Sequence, residues 1–146
     1  MKLKVIALLI LGIWSGMVLG ISFLEAPLKF QAPNITLSLG LGIGQLVFAA
    51  LNKFECLFVL FLLVWLIFQY KQLDKLTTLV LLIPLVIVTI QSLWLLPLLS
   101  TRIDKILAGI SIAKSNHHFY YVVLEAIKVV FLITSFIKIN SYERDH

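Results

Sequence analysis

Long apolar runs separated by short polar stretches make up most of the chain. Residues 5–24 are apolar apart from Ser15 and Ser22, and comparable runs occupy residues 53–70, 76–99 and 117–137. A run of about 20 apolar residues, as a helix, matches a hydrocarbon core of about 30 Å. The pattern predicts an all-α fold, a polytopic membrane four-helix bundle with those four runs as its spans. Two shorter pieces are read as interfacial helices. Residues 36–52 are short for a span and carry Gly40, Gly42, Gly44 and Gln45. Residues 101–113 are amphipathic, with Ile103, Ile106, Leu107 and Ile110 on one face. A five-span arrangement, in which 36–52 also crosses, is the alternative.

Punctuation sets the boundaries. The opening MKLK and the run after it resemble a signal peptide, but the run exceeds the usual apolar region of about 7–15 residues and no A-x-A-like site follows. It is read as a retained span. Proline disfavours helix in the residue before it, so the first span is expected to end at Glu25-Ala26-Pro27, leaving Glu25 and Lys29 at the boundary. Gly12, Gly16 and Gly20 recur every four residues and read as a helix-packing face. Residues 71–75 form a polar turn, Pro84 is expected to kink the third span, and Ser115-Asn116 to open the fourth. The polar tail KINSYERDH is expected to fray. Four spans put both termini on one side with Lys71 and Lys75, and that side is read as cytoplasmic.

Composition agrees with this class. The chain is 61% hydrophobic and 13% charged, against about 45–50% and about 25% in ordinary globular domains. A net charge of +5 would suggest nucleic acid in a soluble protein. Here most basic residues flank apolar runs and read as headgroup anchors, so no nucleic-acid partner is expected. The bilayer is the expected partner, with another copy or another membrane protein as a second. Cys56, the one cysteine, lies inside a run and reads as inert packing.

Polar groups converge on one end. At about 100° per residue, His118, Tyr121, Glu125 and Lys128 form a stripe about 80° wide on the last span. Hydrocarbon offers such a stripe no partner, so it must face protein or a wet cavity. With alternating spans, Glu25, Glu55 and Gln91 fall in the same outer half. Three readings compete: a structural Glu125–Lys128 pair acting as helix glue, a ligand or ion pocket, and a metal or haem site on His117, His118, Cys56 and Glu55. Adjacent histidines on a helix point about 100° apart, which disfavours the third; no metal is expected and no cofactor can be named. No G-x-S-x-G, H-E-x-x-H, P-loop or C-x-x-C is present, so no catalytic residue is assigned. The leading expectation is a binding or transport-associated protein. A structural or assembly partner comes second, and an enzyme acting on a lipid-soluble substrate third.

Several fragments in order carry a resemblance: Trp14-Ser15-Gly16, Glu25-Ala26-Pro27, Lys29-Phe30, Asn52-Lys53, Glu55, Gln91, Trp94, Pro97-Leu98, Arg102, then His118, Tyr121, Glu125 and Lys128. Together they resemble a family of small bacterial four-helix inner-membrane proteins and are similar, more loosely, to the transmembrane-protein-205-like group. The resemblance implies four spans in a bacterial cytoplasmic membrane and supplies no activity.

Overall fold

The computed structural model describes residues 2–141, which are helical through most of their length and contain no strand. The polar tail beyond Ser141, with Arg144, lies outside the described residues. Four long helices result: α1 (Lys2–Gln31), α2 (Leu37–Gln69), α3 (Lys75–Leu107) and α4 (His117–Ser141). The first three are long and apolar enough to cross a membrane. Each helix packs against its neighbours in sequence, and α4 returns to α1, so α2 and α4 lie across from one another.

The packing seams follow heptad-like spacing. On α1 the buried residues include Ala7, Leu11, Trp14 and Val18. On α4 they include Tyr121, Glu125, Lys128, Leu132, Ser135 and Ile139. Steps of four and three keep one stripe facing the partner helices. The charged residues of α4 therefore occupy the phase that leucine and isoleucine fill further along. Leu62, Trp65, Leu81, Leu85 and Val88 complete the core from α2 and α3. Outward positions are apolar as well, among them Leu57, Leu60, Phe68 and Leu93. Such a surface suits hydrocarbon rather than water.

Three boundaries differ from the sequence reading. The interfacial segment 36–52 and the span 53–70 form one continuous helix, α2, with no break at Asn52-Lys53. Thr36 caps it, its hydroxyl accepting from the Leu39 amide at 3.2 Å. Likewise α3 runs past Leu99 to Leu107, absorbing the start of the segment 101–113, while residues 110–115 are not helical. Gly109 stops α3, with φ of 73°. The Gly109 amide bonds the Ile106 carbonyl and the Ile110 amide bonds that of Lys105, each near 3 Å, the paired closure of a Schellman end.

The third difference concerns Pro27, which does not end α1. A π-helical turn, Leu19–Glu25, lies just before it, and the helix resumes through Ala26–Leu28 to Gln31. A second π turn, Gln91–Leu95, likewise precedes Pro97 within α3. Proline lacks an amide and its ring clashes with the carbonyl one turn back. A widened turn at that place lets the helix continue. Pro84 sits inside an α-helical stretch, Lys75–Ile90.

Candidate functional site

Lys128 is fully buried halfway along α4 and donates to three oxygens: Glu125 Oε1 and Glu55 Oε1 at 2.5 Å each, and Gln91 Oε1 at 2.8 Å. An ammonium has three protons, and all are used. Gln91 turns its amide NH2 to Glu125 Oε1 at 2.8 Å, so it serves both charges. From α1, the Trp14 indole donates to Glu55 Oε1 at 2.9 Å and the Ser22 hydroxyl to Glu125 Oε2 at 2.7 Å. Each of the four helices thus contributes. Glu55, Gln91, Glu125 and Lys128 are all fully buried. Two of their backbones come from the widened turns: Ser22 lies in the first and Gln91 opens the second. Glu55 Oε2 is buried without a hydrogen-bond partner, and the buried Tyr121 hydroxyl lies against Glu125.

A cavity of about 750 Å³ adjoins this cluster. Ser22 and Glu125 form part of its wall, and Tyr121 and His118 continue it along α4 toward the start of that helix. Its remaining lining is mostly apolar, with Phe23, Phe48 and Leu96 among it. Lys29 also lines it. Its ammonium pairs with Glu25 at 3.3 Å and lies 5.6 Å from the ring centres of both Phe30 and Phe48. Such distances are in the range of cation–π attraction. On the α2–α3 side, Gln45 Nε2 reaches Ser100 Oγ at 2.6 Å and Asp104 Oδ1 at 2.9 Å, and Asn52 Nδ2 reaches Ser92 Oγ at 2.7 Å.

The expected site residues separate into two shells. Glu125, His118 and Tyr121 line the cavity, whereas Glu55, Gln91 and Lys128 stand behind Glu125 and do not. Glu25 meets the site only through Lys29. The sequence pattern assigns Trp14 and Ser22 no site role. A tryptophan and a serine in an apolar span have ordinary packing roles, and only the register between α1 and its neighbours marks them. Lys29, read as a boundary residue, belongs to the cavity wall.

Two further expectations change. A Cβ at Gly12 would meet Phe136 at an ordinary 3.9 Å, and at Gly16 or Gly20 nothing within 4 Å. The close-packed glycines are Gly40 and Gly44 of α2, where a Cβ would lie 2.3 Å from the Phe30 ring and 2.9 Å from Lys29 Nζ. Cys56 is exposed, not packed in the core, with its sulfur 3.9 Å from Asn52 Oδ1 and 3.7 Å from Ser92 Oγ. The residues considered for a metal do not meet. Glu55 points into the ion cluster, Cys56 lies outside it, and His117 pairs with the Ser115 hydroxyl at 2.7 Å. Among the described residues no three His, Cys, Asp or Glu side chains form a metal-ligating group.

Trp14, Glu55, Gln91, Glu125 and Lys128, far apart in the sequence, converge in this one cluster. Compared with protein families, with curated protein sequences and with solved structures, the chain matches none of them.

Proposed function

We propose that this protein is a membrane-spanning four-helix bundle that binds a small amphipathic molecule in the cavity, with Glu125 receiving the polar end. One observation carries the reading: a mostly apolar cavity ends on a carboxylate that Ser22 of α1, Gln91 of α3 and Lys128 of its own helix hold in place. An apolar body suits the walls, and a neutral hydrogen-bond donor suits Glu125 Oε2, which accepts from the Ser22 hydroxyl. Binding sites commonly combine apolar walls with a few fixed polar groups. The bundle lies in a bacterial cytoplasmic membrane with its termini inside, which places the cavity toward the outer face. A transport-associated role would use a second copy or another membrane protein.

A structural reading stands beside it, favoured by the fact that the Lys128 cluster ties all four helices together. The two readings diverge at the cavity. The test is organic extraction of the purified protein followed by mass spectrometry, for wild type and Ala49→Phe. Ala49 lines the cavity yet is exposed, so the larger ring fills space without forcing the core apart. Binding predicts a copurifying amphipath that Ala49→Phe depletes while the thermal midpoint is kept. Equal small-molecule content in both proteins would leave the structural reading alone.

A further inference from the structure

The ion cluster contains two carboxylates, Glu55 and Glu125, and one ammonium, Lys128. Its other members, Trp14, Ser22 and Gln91, are neutral. With both carboxylates ionised, a fully buried set carries one surplus negative charge. An uncompensated charge in such a place is strongly disfavoured, and like charges sharing a site resist joint ionisation. The hydrogen bonds show where compensation is missing. Glu55 Oε1 accepts from Trp14 and Lys128, and both Glu125 oxygens have donors, but Glu55 Oε2 is buried with none. The remaining charged or titratable groups of the cavity, Lys29 with Glu25, Lys53 and His118, lie outside this set of contacts.

We propose that Glu55 and Glu125 together hold one exchangeable proton around Lys128, reached from the cavity through Glu125, so that the cluster is a proton-binding site. Glu55 Oε2 is its resting place. The proton leaves to cavity water by way of Glu125: Lys128, which bonds Oε1 of both carboxylates, gives a proton to Glu125 and takes back the one on Glu55 once that carboxyl turns. This goes beyond the ligand reading and stands whether or not the cavity is filled.

The test is infrared spectroscopy of the full chain in nanodiscs at neutral pH, in water and heavy water. The expected result is a carbonyl band of a protonated carboxyl that shifts in heavy water. Glu55→Gln and Glu125→Gln each leave one carboxylate opposite one ammonium, so either substitution removes the band. Ser22→Ala leaves the charge count unchanged and keeps it. A wild-type spectrum without the band overturns the proposal, with no variant needed; so does a band that survives in both glutamine variants. Neither result depends on the copurified molecule, so failure of the ligand reading is told apart from failure of this one.

Discussion

Lys128 determines how its neighbours respond to substitution. As an i,i+3 neighbour of Glu125 it reads from the sequence as half of an ion pair, and loss of Glu125 would then strand it. The second carboxylate, Glu55, reverses that expectation, since either glutamate alone can balance the ammonium. Lys128→Met is the severe change: it leaves two buried carboxylates facing each other with only neutral donors. Stranding buried charge costs about 3–5 kcal/mol, and chemical denaturation in detergent should show a loss of at least that order. The stripe of Tyr121, Glu125 and Lys128 was legible because helical spacing alone places it on one face. That Trp14 and Ser22 complete the set was not, because no local pattern in α1 distinguishes a hydrogen-bonding tryptophan from a packed one.

At the scale of elements, the widened turns explain why proline misled the reading of boundaries. Pro27 and Pro97 each follow a π turn, and these turns carry Ser22 and Gln91. The chain beyond Pro27 then lies against α2, where Gly40 leaves room for the Phe30 ring. Gly40→Ala puts a methyl group into that ring's position, and overpacking of this kind costs about 1–3 kcal/mol. The expected result is a lower thermal midpoint for Gly40→Ala, against little change for Gly16→Ala, where the added methyl meets nothing. Continuity of α2 was illegible for a related reason: its glycines look like breakers in isolation and serve as contact points in the fold.

The start of α3 offers a pH test outside the apolar segments. Asp74 caps the helix, and hydrogen bonds from the Thr77 hydroxyl and amide, with the Leu76 amide, hold its carboxyl below the usual carboxylate range. A depressed value in the folded state means that the cap's contribution is complete above an ordinary aspartate value of about 3.9 and fades as pH falls through the folded one. Asp74→Asn should therefore lower the thermal midpoint at neutral pH, and the difference from wild type should shrink in acid.

For the whole molecule, helices of 33 residues in α2 and α3 extend to about 50 Å at ~1.5 Å per residue. That is more than a hydrocarbon core of about 30 Å needs. The cavity lies at one end of these helices, lined from residues 22–30, 40–53 and 92–103. The all-α class, the number of long helices and the residues around Glu125 were legible from hydropathy and punctuation. The cavity was not, because it arises from helix ends that extend together, and no single segment records it. In a Cys56→Ser background, Gln72→Cys and Ser38→Cys should label from opposite faces of a sealed vesicle with a membrane-impermeant thiol reagent. Labelling of both from one face would refute the alternating arrangement.

The most direct test of the account is the stability of Glu55→Gln, Glu125→Gln and the double variant against wild type, by denaturation in one detergent at neutral pH. A cluster with one carboxylate more than charge balance requires predicts that each single substitution costs no more than about 1 kcal/mol, the scale of one altered hydrogen bond. The double variant strands Lys128 and loses about 3–5 kcal/mol, far more than the singles added together. A full loss from either single variant, with little further loss in the double, would contradict it.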